Sequence, residues 1–343
     1  MSLRSLLTEH RGKLLAVIGA VLIVIWMWAT GRLAPEAMAV WMERNGVVLR
    51  QAIATGLLVG GVYGLVALGL TLIFGVLDII NFAHGALLTV AMYITFVLYN
   101  RFAVDPYVSI LIAAPALFVI GAIIQRLVIH PARHAPTHNQ LLLTLGLALF
   151  VENLLLVIFT GTPRSIRLPY GRGATDLGLV TIDFPLRIAG TTITMSRLTA
   201  FLFALLLTGV LYLLLQRTDL GKSIRATAQD KEGARLVGID IERINLITFG
   251  LGTACVGAAG ALVLPFLAVD PTVGNQFNIT AFVIVVLGGM GSVPGALLGG
   301  LIVGLTQELG VVFAPSSTKL LGVFVIFLLA LMFRPQGLLG RRS

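Results

Sequence analysis

Charge is what this sequence has least of: Asp, Glu, Lys and Arg make up 11% of its 343 residues, under half of the roughly 25% usual in soluble domains. So few polar side chains cannot cover a water-facing surface. With 57% hydrophobic residues the chain fits lipid, where that cover is unnecessary. Cysteine is almost absent. The single Cys255 sits in an apolar run, which excludes an internal disulfide framework and a cysteine-rich metal site. There is no His-Glu-x-x-His, no Gly-x-Ser-x-Gly and no grouped Cys/His ligand set, so no catalytic residue, metal or cofactor is expected. Gly221-Lys222-Ser223 resembles the end of a phosphate-binding loop, but the glycine that loop needs at position 216 is Gln216. Any ATP hydrolysis must come from a partner chain. Long polar stretches are also missing: the longest are Gly161–Arg197 and Arg217–Arg243, so no soluble domain is attached.

What the chain has instead is apolar runs. A spanning helix takes about 20 mostly apolar residues. Ten runs qualify or nearly so: 14–29, 50–75, 83–99, 108–129, 140–160, 198–216, 244–268, 279–290, 296–313 and 319–334. The eighth is short enough to be a broken or re-entrant piece. The expected fold is therefore all-α, a single polytopic transmembrane bundle over 1–343 with about 8–10 membrane segments. Residues 1–49 form an extra N-terminal helix and external linker. The first run follows Arg4, Arg11 and Lys13 like a signal peptide, but Trp26-Met27-Trp28 offers no small-residue cleavage site and reads as an interfacial anchor.

The net charge of +9 points to membrane orientation rather than nucleic acid, because the basic residues cluster between apolar runs. Placing both termini in the cytoplasm puts 14 of the 24 Lys and Arg inside, six of them between Arg217 and Arg243. Five of the ten outside residues fall in the Gly161–Arg197 loop, against the rule. Small residues recur every fourth position as Ala52/Gly56/Gly60/Gly64, Gly250/Ala254/Ala258 and Ala296/Gly300/Gly304. Such stripes let helix backbones approach closely, within one bundle or at a dimer seam.

Two kinds of site stand out. The first is Arg217–Ile244, nearly balanced in charge and rich in alanine, which reads as a cytoplasmic helix stopped by Gly238. On one helix, Ala226, Asp230, Gly233, Ala234 and Val237 share a small face that can nestle into a partner's groove. The second is polar groups at membrane depth, each costing several kcal/mol unless satisfied or wet. Asn81 and His84 interrupt two apolar runs. Asn81 either caps the next helix or lines a polar pathway, and His84 either bonds a backbone carbonyl or does the same. Glu152 and Asn153 in the fifth run and Gln307 and Glu308 in the ninth either line a water-filled route or lie near the interface and snorkel, and the chain break Gly288–Gly295 with Ser292 is the other pathway candidate. Pro294 is suited to the first turn of the next helix, and such breaks orient backbone dipoles toward a solute carboxylate.

At these residues the chain resembles the permeases of branched-chain amino acid ABC transporters, whose relatives include urea and amide permeases. The matching segments are Gly56–Leu88 with its Asn-Phe-Ala-His-Gly, Thr144–Gly161, Gly221–Asp240, Val286–Gly304 with its Leu-Gly-Gly-Met-Gly-Ser-Val-Pro-Gly-Ala, and Arg334–Gly340. The resemblance implies an inner-membrane importer subunit for branched-chain or other small amino acids. Its partners would be a second, non-identical permease, two cytoplasmic ATPase subunits and a periplasmic solute-binding protein. It further implies that Arg225, Ala226, Asp230, Gly233, Ala234 and Gly238 form the element that docks on the ATPase. A urea or short-chain amide permease and a stand-alone small-solute channel are the alternatives. The extra N-terminal helix and the long 161–197 loop depart from the family minimum, and that loop is placed to shape docking of the binding protein.

Overall fold

The computed structural model describes residues 35–340 apart from 134, 167, 169–172, 177–180, 185, 189–190, 314–318 and 335. The expected helix at 14–29 lies outside the described residues. The order of elements is α1 (Pro35–Leu77), α2 (His84–Phe102), α3 (Ile110–Ile124), α4 (Thr137–Phe159), α5 (Met195–Arg217), α6 (Asp219–Gln229), α7 (Lys231–Leu236), α8 (Ile241–Val263), α9 (Gly274–Gly288), α10 (Val293–Phe313) and α11 (Lys319–Phe333). Seven helices among the described residues are long and apolar enough to cross a membrane, and α9 and α11 are shorter apolar helices. The chain is an all-α polytopic bundle. Among the described residues strands are confined to two small hairpins between α4 and α5: β1 (Gly173–Asp176) with β2 (Thr181–Phe184), and β3 (Leu186–Ile188) with β4 (Thr191–Ile193).

Helix α1 begins at Pro35, inside the segment expected as a linker. Hydropathy marks only the part of a helix that lies in lipid. Glu, Arg, Met and Ala before it are good helix formers, and proline suits a first helical turn. Helices α1 and α8 form the centre, 83% and 72% of their most apolar windows being buried. Helix α4, at 17%, lines the outside with Phe150, Leu154 and Val157 exposed, as fits contact with lipid or another subunit.

The small-residue stripes settle which helices lie side by side. A β-carbon on Gly60 would sit 2.8 Å from the Gly300 carbonyl oxygen, and one on Gly56 would sit 2.9 Å from that of Gly304. The first and last stripes therefore pack on each other, α1 against α10, so each serves this bundle's own interior. The middle stripe, on α8, receives Phe118 over Gly250, and Thr253 beside it donates to the Leu117 carbonyl of α3 at 2.9 Å.

The short α9 is finished by a distant part of the chain. Helix termini leave four carbonyls without partners, which is costly inside a bundle. The backbone N–H groups of Leu338 and Leu339 donate to the Leu287 and Gly288 carbonyls at 2.8 and 3.0 Å. Gly337, with φ +79°, lies so close that a β-carbon would sit 2.5 Å from Gly289 Cα. This contact accounts for the closing Arg334–Gly340 motif. Gly337→Val is expected to open the clasp and lower the melting temperature of the purified protein by about 5 °C or more, the shift of a few kcal/mol in a chain this size. An unchanged melting temperature would remove the clasp's role.

Candidate functional site

Asp78–Ala83 carries the chain from the end of α1 back into the bundle. His84, the first residue of α2, is fully buried, and its Nε2 lies 2.9 Å from the Val66 carbonyl oxygen. Val66 is eleven residues before Leu77, about 16 Å along the helix. So α2 starts well inside the membrane span. Asn81, 1% exposed, accepts the Ala83 N–H through Oδ1 at 3.1 Å. Thr144 of α4, also buried, accepts from the Phe82 N–H at 3.3 Å and donates to the Ile80 carbonyl at 3.2 Å. His84 thus bonds a backbone carbonyl, as one of its two foreseen roles has it, whereas Asn81 bonds the N–H of the residue before α2 and does not cap that helix, and each residue still has a spare polar atom. Asn81 Nδ2 and His84 Nδ1 are buried without a partner among the described residues. A buried donor and acceptor left open at membrane depth is where a polar solute gains most by binding.

A second helix N-terminus meets the first there. Gly274 opens α9, and a β-carbon on either Gly85 or Gly274 would run into the other's carbonyl oxygen. Two positive dipole ends thus converge at one depth. Glu152 answers them: its Oε2 accepts from Asn275 Nδ2 at 3.1 Å, placing a carboxylate at the start of α9. Asn153 does not join this group. It is exposed on the outer face of α4 and donates to the Leu149 carbonyl of its own helix at 2.8 Å. Gln307 is buried, 3% exposed, on α10.

Ser292 lies elsewhere. Its Oγ accepts the Gly295 N–H at 3.2 Å, which caps α10. It lines a cavity of about 440 Å³ between the C-terminal ends of α1 and α5, helix α6 and the 290–294 turn. Arg225 lines the same cavity, so the structure brings together one pathway candidate and one docking candidate that are far apart in sequence.

The expected single helix after Arg217 is two. Thr218 caps α6 through Oγ1, and the chain turns at Asp230 into extended backbone, where the Asp230 carboxylate caps α7 through the Glu232 N–H at 3.0 Å. Ala226, Asp230, Gly233 and Ala234 therefore do not share one helical face. Aspartate prefers capping to a helix interior, and that preference wins. Ala226 and Asp230 belong to the end of α6, Ala234 is 4% exposed against the bundle, and Asp230 and Gly238 face solvent. The stop at Gly238 is as expected: φ is +86°, with the Ile239 N–H on the Ala234 carbonyl at 3.1 Å.

One contact was missed by sequence reasoning. Lys231 Nζ lies 2.6 Å from Asp78 Oδ2, joining α7 to the residue that begins the re-entrant segment. An ion pair ties Arg133 to Glu242 at 2.6 Å, and His130 Nε2 lies 3.1 Å from the same carboxylate. The loops after α1, α3 and α5 and the Leu338–Leu339 clasp thus gather at one end of the bundle. Gln51, which exchanges two hydrogen bonds with the Thr192 backbone at 2.8 and 2.7 Å, marks the other end, with the hairpins.

Comparison with known proteins decides the family. Residues 52–333 match the model of the branched-chain amino acid transport system permease component. The chain belongs to this family. It is 31% identical over 302 residues to the high-affinity branched-chain amino acid transport system permease protein BraD of Pseudomonas aeruginosa, covering 85% of this chain and 95% of that one. It is 30% identical over 313 residues to the corresponding LivH of Escherichia coli K12, covering 88% and 98%. The permease protein LivM of the same organism is 29% identical, covering 81% of this chain and 68% of that protein. No solved structure matches the chain.

Proposed function

We propose that this permease is one of two non-identical membrane subunits of an ATP-driven importer that moves branched-chain amino acids across the bacterial inner membrane. Two ATPase subunits bind the end where α6 and α7 lie, which is the cytoplasmic one, and a periplasmic binding protein delivers the solute to the hairpin end. The observation that carries this reading is the anchoring of α6 and α7 between the ends of α1, α5 and α8, in a chain with no nucleotide-binding motif of its own. Arg225, Ala226, Asp230, Gly233, Ala234 and Gly238 form or shape that docking element. A push on it reaches α1 directly, and through Asp78 the buried Asn81–His84 segment. The bundle then shifts between two packed arrangements, with the solute passing Asn81, His84 and Glu152. Relatives named for branched-chain amino acid transport support the choice of solute class.

The test is uptake of leucine and of urea into membrane vesicles holding this chain, with and without the ATPases and binding protein. Leucine uptake only with ATP and all partners is the expected outcome. Urea uptake under the same conditions would move the chain to the amide permeases. Flux through the chain alone would make it a channel.

A further inference from the structure

The cavity that joins Ser292 to Arg225 has a composition that neither capping nor docking explains. Its walls are apolar, from Leu72 and Val76 of α1, Leu215 of α5 and Ile224 of α6. Two of its polar residues have an atom without a partner. Thr71 is 1% exposed and its hydroxyl has no partner among the described residues, and Arg225 Nη1 is buried in the same condition. Both line the cavity. A guanidinium N–H sealed off without an acceptor is costly and calls for an anion. Val293 and Pro294, which open the 21-residue α10, also face it, adding the positive end of a long helix. Asp78 at the rim, holding Lys231 with one oxygen, brings the opposite charge a short way off. The volume of about 440 Å³ falls in the ~300–1,000 Å³ range of small-molecule sites.

We propose that this cavity is a release site for an apolar α-amino acid, its carboxylate on Arg225 and Thr71, its ammonium toward Asp78 and its side chain among Leu72, Val76, Leu215 and Ile224. The inference rests on the import function proposed above and adds a second stop for the solute, at the ATPase end of the path. The apolar wall sets it apart from a site for a bare inorganic anion, and the paired charges suit a zwitterion better than a phosphate headgroup.

Met290 lines the cavity, is exposed and lies outside α6 and α7, so a cysteine there reports occupancy. The experiment uses the Met290→Cys, Cys255→Ser chain in the complete transporter, reconstituted in phosphatidylcholine with the α6 end outward. The rate of reaction with a membrane-impermeant maleimide is measured against leucine concentration. Leucine at ten times its half-protecting concentration should slow labelling about tenfold, and glycine should protect less. Arg225→Gln, and independently the isosteric Thr71→Val, should each raise the half-protecting concentration, by about tenfold for the arginine. ATP-driven leucine uptake is measured on the same transporter reconstituted with the hairpin end and the binding protein outward and ATP inside. No protection, or protection unchanged by both substitutions, overturns the release site whether or not uptake is present. Protection brought about by phosphatidylglycerol without leucine overturns it in favour of a lipid site. Protection intact with no uptake overturns the import reading and leaves the site standing.

Discussion

Valine in place of Gly300 should leave almost no folded protein in the membrane. A β-carbon at this position would sit 2.5 Å from Gly64 Cα and 2.7 Å from the Gly60 carbonyl oxygen. Both are backbone atoms of α1, so no side chain can rotate away, and the helices must separate along the whole seam that Gly56, Gly60 and Gly64 make with Ala296, Gly300 and Gly304. Ordinary overpacking costs about 1–3 kcal/mol. Parting two helices whose association rests on close backbone contact costs more, against a total stability of about 5–15 kcal/mol. Gly146→Val is the control, because nothing approaches within 4 Å of a β-carbon at that exposed position of α4. Detergent-extracted yield and elution as a single species, compared for the two variants, check the prediction. Equal yields would mean that the α1–α10 seam is not what holds the bundle together.

That seam also marks how far sequence alone reaches. The stripes at Ala52–Gly64 and Ala296–Gly304 were visible as patterns, and each fixes a helix face. Nothing in either says that the two meet, because a pairing across some 240 residues is a property of the assembled bundle. Apart from 14–29, which lies outside the described residues, the membrane segments were legible from hydropathy, down to the short eighth one, which became the 15-residue α9. Pathway candidates were legible as polar residues in apolar surroundings: Asn81 and His84 are buried at the start of α2, and Glu152 meets Asn275 of α9. Asn153 lies on the outer face, since periodicity gives a face but not which face is inside. Arg334–Gly340 could be matched to the family yet not explained, because its partners are the carbonyls at the end of another helix. Helix α7 parted from α6 at Asp230 because a capping side chain outweighed the propensity of the alanines around it.

The second large effect concerns transport without stability. Asp78 is one of three non-glycine residues with positive φ among those described, at 60°, and it stands between the end of α1 and the segment that carries Asn81 and His84. Lys231, first residue of α7, holds it at 2.6 Å and reaches the Leu77 carbonyl oxygen at 3.4 Å, where the negative end of α1 favours a cation. The Asp78 and Lys231 side chains are 72% and 39% exposed, so the ion pair is worth at most about 1 kcal/mol to folding. Its importance, on the mechanism proposed here, is mechanical: it is the direct link between the element that the ATPase moves and the buried segment that the solute passes. Asp78→Asn keeps a residue that tolerates positive φ and removes the charge, and Lys231→Gln removes the other. Each should lower ATP-driven leucine uptake about tenfold, equivalent to ~1.4 kcal/mol, with the amount of protein in the membrane and its melting temperature unchanged. Because the two act through one contact, the double variant should transport no worse than either single one. Uptake that falls multiplicatively in the double variant would show two independent roles. Uptake unaffected by either would leave α7 without a link to the path and put the force on α1 through α6 alone.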